Sequence, residues 1–424
     1  MKRLLLRMPR FLGEKLIIVI IFFLFTLFFS NDFGLIDIQK TAIILAAGVD
    51  KNEEGTFSVT AQIAVPQASK SGGENKAVSV TGEGETVAQA FKEINAKTGW
   101  FPKLIFCDLI LLGEDTAKEN LFDCLGYFLS NEYMSDNCLL ATCEGKAEEV
   151  LNATVPTENM TSFALQKILA SEAKQAGNIS TINLKDFAVG YFAEHKSGFM
   201  PYIRMIPQSE GAGSGGDSGG QSSFSILPVQ GSGGSGGNGG NGGGKSGGGS
   251  QGSKSQDKMF DATATAIFYE GKQVGLLEKN QSFAMNLALN NIRQATLQVS
   301  LQDKVYAIDL TDVSSDIHFE IKNNNPLLKV SLKATAQTSD ASTPRPLEEI
   351  ATPTQVKKEV LKKAEEDLKN TLVSVFETCR AVKCDIFEVL DKLQKYEPDY
   401  HKAFKDILLQ RIIPSFEVKI TSAS

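Results

Sequence analysis

Apolar and polar residues alternate from Phe57 to Val65, with Phe57, Val59, Ala61, Ile63 and Val65 on one side and Ser58, Thr60 and Gln62 on the other. A period of two buries one face of a strand. Pro66 ends this one, because proline lacks the amide hydrogen that a ladder needs. Val78 and Val80 open a second strand. The period then changes: Thr86 and Gln89 form a capping-box pair, and Val87, Ala90, Phe91 and Ile94 mark one face of a helix. Lys103–Leu112 reads as a buried strand leading through Gly113-Glu114-Asp115 into a helix carrying Leu121, Leu125 and Phe128. Cys138–Cys143 reads as another strand, and Ala147–Leu151 as the start of another helix.

The second half carries the same two periods. Ala262–Tyr269 is a strand, and Glu270-Gly271-Lys272 is a tight turn. Ile317, Phe319 and Ile321 alternate into the turn Lys322-Asn323-Asn324-Asn325, and Leu328, Val330 and Leu332 alternate back as a hairpin. Pro353-Thr354 is the expected start of a long helix. Its i+4 row is Val356, Val360, Ala364, Leu368, Leu372 and Phe376, widened by Leu361 and Val375. This stripe should cover the sheet formed by the hairpin and the last strand, Phe416–Ile420. A shorter helix with Phe387, Leu390 and Leu393 lies between them. The fold class that follows is α+β, with mixed sheets and helices packed on them.

The ends and the middle add a different kind of information. Lys2, Arg3, Arg7, Arg10 and Lys15 precede an apolar run from Leu16 to Phe29. Basic residues before an apolar run keep the N-terminus inside and send the rest across. The run covers only about two-thirds of a ~30 Å hydrocarbon core, so a cleaved signal peptide is the alternative. Phe28-Phe29-Ser30-Asn31 lacks a small-x-small cleavage pattern. The expectation is therefore an uncleaved anchor helped by Phe11 and Leu12, with Lys15 snorkelling. The first cysteine is Cys107, so no lipid-bearing cysteine stands near the boundary.

Residues 208–258 hold twenty of the 37 glycines and little that is apolar beyond Phe224–Val229. Such a segment cannot bury enough surface to offset its ordering entropy and is expected to be a disordered insertion spanning roughly 40 Å. Gly239–Ser246 matches a phosphate-binding loop, Gly211–Gly216 a dinucleotide-binding turn, and Gly216–Gly220 the nucleophile segment of trypsin-like proteases. None has the strand, helix or positioned histidine that its chemistry requires, so these are chance matches in a glycine-rich tract. The expected division is an anchor at 1–33, an α/β domain at 34–152, an α+β domain at 153–291 interrupted by the 208–258 loop, and a C-terminal α+β domain at 292–424.

The formal charge is -7 across 424 residues, with no basic tract after the leader, which argues against a nucleic-acid partner. His195, His318 and His401 are scattered, and no histidine or cysteine spacing fits a metal, so no catalytic, cofactor-binding or metal-binding residue is expected. The six cysteines show no C-x-x-C spacing and read as small buried hydrophobes. An extracytoplasmic setting permits disulfides, although the spacing assigns no pairs.

Four stretches carry a resemblance to a known family. Thr81–Thr86 with the helix after it is similar to a "G-x-(S/T)-x-x-E-A" helix opening, and Lys103–Asp115 to "K-x-(I/L)-x-F-x-H-x-K-x-(I/L)-(I/V)-(I/L)-G-E-x-x-A". Ala264–Leu277 is similar to "G-x-A-V-F-K-x-D-K-L-V-G-x-L", and Cys384-Asp385-Ile386-Phe387 before Tyr400-His401-Lys402 resembles the closing "D-(I/P)-F" motif. In this order they resemble the C subunit of bacterial spore germinant receptors, the Ger(x)C family. The chain departs from it in lacking the N-terminal lipid-modified cysteine, in its glycine-rich insertion, and in Cys107-Asp108, where members often carry histidine and a charge. The resemblance implies three α+β domains on the outer face of the spore inner membrane. It also implies A and B receptor subunits as partners, the B subunit being permease-like and the main site of nutrient contact, and a non-catalytic role for this chain. The alternative is a membrane-anchored extracytoplasmic solute-binding or adhesion protein. A surface hydrolase would rest only on the chance motifs.

Overall fold

The structure, a computed structural model, describes residues 18–25, 41–65, 76–156, 158–170, 179–207, 224–226, 258–302, 304–322, 325–341, 355–405 and 407–423. Residues 18–25 are helical with exposed apolar side chains. Among the described residues no helix is long and apolar enough to cross a membrane, and the rest of the expected anchor lies outside them.

The chain runs β1 (Thr41–Lys51), β2 (Phe57–Val65), β3 (Lys76–Gly84), α1 (Val87–Thr98), β4 (Phe101–Lys103), β5 (Leu109–Leu112), α2 (Glu114–Lys118), α3 (Phe122–Leu129), β6 (Leu139–Cys143), α4 (Ala147–Leu151) and α5 (Thr161–Leu169). It continues through β7 (Ile182–Asn183), α6 (Leu184–Phe192), β8 (Ser197–Pro207), β9 (Phe224–Ile226), β10 (Lys258–Tyr269), β11 (Lys272–Leu277) and α7 (Lys279–Ala288). The remainder is β12 (Ala295–Leu301), β13 (Lys304–Lys322), β14 (Asn325–Ala341), α8 (Lys358–Ala381), α9 (Val389–Tyr396), α10 (Pro398–Phe404), α11 (Leu408–Arg411) and β15 (Ile413–Ser422).

One sheet has the order β11-β10-β8-β6-β5-β1-β2-β3, with β4 paired to β1 and β7 to β6. Its centre, β8-β6-β5-β1, is parallel, and antiparallel strands flank it on both sides. Parallel strands are covered on both faces, which is why Leu109–Leu112 is continuously apolar. Ile110 and Leu112 enter the core on one face, and Leu109 and Leu111 enter it on the other. The expected division at 152/153 does not coincide with a break in this sheet, because β8 from beyond it pairs with β6 from before it.

The helix opening after β3 has a steric cause. Thr86 caps α1 by accepting from the Gln89 amide, and the Gln89 side chain accepts from the Glu85 amide. Val87, Ala90, Phe91 and Ile94 are the buried face, as their spacing predicts. A Cβ at Gly82 would lie 2.3 Å from the Ala90 carbonyl oxygen, and one at Gly84 would lie 2.8 Å from the Ala90 nitrogen. Both glycines of the helix-opening motif therefore let β3 and α1 approach backbone to backbone.

Two expected elements differ from what is found. Lys103–Leu112 is not one strand: β4 and β5 are separated by a turn in which the Cys107 amide bonds the Leu104 carbonyl at 2.9 Å. Leu104 and Cys107 turn inward while Ile105 and Phe106 turn out, a break in the apolar run that no period announces. The helix expected to carry Leu121, Leu125 and Phe128 is two helices, α2 and α3, with Leu121 buried at the junction.

A second sheet has the order β15-β14-β13-β12-β9. β13 and β14 form the expected hairpin, with Lys322 opposite Asn325. β15 runs parallel to β14, with Val330 opposite Phe416. The whole predicted α8 stripe is buried in the core that holds Leu328, Val330, Leu332, Phe416 and Ile420. The helix starts at Lys358, four residues after Thr354, and Val356 is buried ahead of it. Phe387 is likewise buried just before α9, after which Glu388 turns left-handed at φ 54. Residues 224–226 of the glycine-rich segment form β9, antiparallel to Leu297–Val299. Residues 208–223 and 227–257, and with them all three chance motifs, lie outside the described residues.

Candidate functional site

Where the ten-stranded sheet meets the helices after α8, polar and titratable side chains gather in a mostly apolar boundary. Asn183 caps α6 by accepting from the Asp186 amide at 2.7 Å, which fixes the direction of the helix. The helix ends at Phe192, Lys196 turns left-handed at φ 46, and β8 begins at once. That tight exit points Glu194 and His195 at α9 and α10.

Asp391, in the first turn of α9, receives both residues. One of its oxygens contacts His195 Nδ1, and the other accepts from the Glu194 amide at 3.2 Å. The Glu194 carboxylate in turn lies 3.4 Å from His401 Nε2 on α10. Beside them Asp385 is 3% exposed. Its Oδ2 accepts from the Leu390 amide at 2.8 Å, while its Oδ1 has no hydrogen-bond partner. Burial pushes the Asp385 carboxyl above the ordinary range, against the opposing pull of the Leu390 and Val389 amides and of His195. A buried acceptor with a vacant lone pair costs free energy unless a donor reaches it.

Two cavities of about 400 and 420 Å³ flank this group, and His195 and Asp385 line both. The first is completed by Asp186, Phe187, Phe199 and Glu388 and the second by Arg380 and Lys405. The chemistry available is polar clasping of two structural units. The nearby hydroxyl of Ser197 is already occupied: it donates to the His195 carbonyl at 2.7 Å and accepts from the Asp385 amide at 2.9 Å.

Sequence reasoning named no site residue, and this cluster was missed. Asp385 and His401 both sit in the closing motif that carries the family resemblance, so a signal was present. The bonded pair His195 and Asp391 is 196 positions apart, and nothing local connects the two. His318 lies elsewhere, on β13 opposite Lys329. Among the described residues no three histidine, cysteine, aspartate or glutamate side chains are placed to hold a metal ion. All six cysteines are free and buried, and burial raises the Cys124 thiol to about 12.

Comparison with known proteins places these motifs in context. Residues 35–205 match the family described as the spore germination protein N-terminal domain. Residues 263–423 match the C-terminal family described as spore germination B3/GerAC like. Spore germination protein KC of Bacillus subtilis (strain 168) is 24% identical over 182 residues, covering 40% of this chain and 44% of that protein. The fold is similar to the crystal structure of the GerBC protein, with a TM-score of 0.50, 13% identity, and coverage of 89% of this chain and 97% of that one.

Proposed function

We propose that this chain, which belongs to the GerAC-like family of spore germination proteins, serves as a non-catalytic subunit of a nutrient receptor. The succession of both family domains along one chain is the observation that carries the reading. In this reading the basic-flanked leader, of which residues 18–25 form an exposed apolar helix, holds the body at the outer face of the spore inner membrane. Receptor A and B subunits bind the body's surfaces, and the permease-like B subunit makes the main nutrient contacts.

An interaction body suits this role, and the contacts of Asp391 with His195 and the Glu194 amide support it by tying α9 to the segment that enters β8. The test is co-purification from detergent-solubilised spore membranes through a tag on this chain. Recovery of two multi-pass subunits is expected. Recovery of the chain alone, with direct nutrient binding by the isolated protein, would favour the solute-binding alternative.

A further inference from the structure

We propose that the turn between β4 and β5, with Phe101 beside it, docks on the lipid bilayer next to the point where the leader joins the body. The inference rests on the anchoring reading above and adds a second membrane contact to it.

Phe101, Ile105 and Phe106 are 51%, 53% and 54% exposed. Their exposure is built into the backbone. β4 pairs with Thr41–Ile43 and β5 with Ala46–Val49, so the two are one strand interrupted by residues 104–108. The interruption is pinned at both ends: the Cys107 amide bonds the Leu104 carbonyl at 2.9 Å, and the Asp108 amide bonds the Leu45 carbonyl at 3.1 Å. Leu104 and Cys107 are 3% and 0% exposed and clamp the turn from below. Ile105 and Phe106 are held outward and cannot fold back over the sheet, so water contacts them unless something else covers them.

The position names the occupant. Thr41, where the described body begins, pairs directly with Phe101. The apolar helix at 18–25 is separated from it by residues 26–40, which reach at most about 55 Å when fully extended. An anchored leader therefore keeps this edge within one molecular length of the bilayer, and at that effective concentration a small patch suffices. The rim fits the interface as well. Tyr133 is 49% exposed, and the Lys103 ammonium lies 4.6 Å from the centre of its ring. Tyrosine and lysine are the side chains that settle at headgroup level beside inserted phenylalanine and isoleucine.

The experiment uses the full chain carrying Ile105→Cys, spin-labelled and reconstituted in phosphatidylglycerol/phosphatidylethanolamine vesicles. The native thiols are at most 2% exposed, so the reagent selects the new one. Lys362→Cys, on the exposed face of α8, is the control site. The nitroxide at 105 is expected to collide more with oxygen than with a water-soluble nickel chelate, and the one at 362 the reverse. Phe106→Asp should shift the label at 105 towards nickel while the protein still floats with the vesicles. Flotation with a nickel-accessible label at 105 in the parent chain overturns the docking and leaves the anchor standing. Failure to float overturns the anchor and the docking together. Protection of the label only when receptor A and B subunits are co-reconstituted would assign the patch to a protein partner and overturn the bilayer as its occupant.

Discussion

Replacing Leu368 by alanine tests the packing on which the C-terminal half depends. Leu368 is 0% exposed at the centre of the α8 stripe. Around the stripe, Phe376 and Phe416 meet with ring centroids 6.3 Å apart, and Glu365 accepts from the Ile420 amide at 2.8 Å. Helix and last strand are therefore joined by both apolar and polar contacts, and the wall around Leu368 has little freedom to collapse. Truncation removes three carbons, about 2.4 kcal/mol at ~0.8 kcal/mol per methylene. The cavity left behind raises the loss to about 3–4 kcal/mol, within the range for buried leucines. Urea unfolding followed by far-UV circular dichroism reads this as a drop in midpoint at unchanged slope. Lys362→Ala, on the exposed face, should stay within about ±0.5 kcal/mol. Equal losses at the two positions would refute the packing argument and assign the stripe to an external partner.

Two further substitutions probe other parts of the chain. Asp50, at the end of β1, accepts from the Ala147 and Glu148 amides at 2.8 and 3.0 Å and so caps α4 from another strand. A Cβ at Gly113 would lie 2.0 Å from its Oδ1, so Gly113→Ala should cost about 1–3 kcal/mol. A double-mutant cycle with Asp50→Ala should show strong non-additivity, and additive losses would disprove the clash. Asp385→Asn addresses pH. Burial raises the folded carboxyl above its ordinary 3.8, so the folded chain binds the proton more tightly than the unfolded one. The parent's stability should therefore gain on the variant's as pH falls from neutral towards 3.8, with a slope of at most about 1.4 kcal/mol per pH unit. Denaturant midpoints of parent and variant across that window should diverge in this sense. Parallel pH profiles would show that Asp385 is not the group responsible.

Features that repeat within a few residues could be read from the chain alone. The strand β2, the cap and buried face of α1, the Glu270-Gly271 turn with φ 51 and 77, and the α8 stripe were all legible, but the expectation of one buried face on β2 was not met, because Ser58, Thr60 and Gln62 on its polar side are buried too. Each is a local pattern in which side-chain direction follows from position along one element. Gly82 and Gly84 were legible as motif letters, but only the helix packed against them shows why no side chain fits there. Tertiary structure decided the rest. The break between β4 and β5 depends on which residues of β1 are free to pair, and the local run Leu104–Leu112 reads as one buried strand without that information. The same holds for β8 joining β6 across residue 152, and for Asp391 meeting His195 from 196 positions away. Such contacts form because two distant surfaces bury each other, and no period within either segment records which partner it will find.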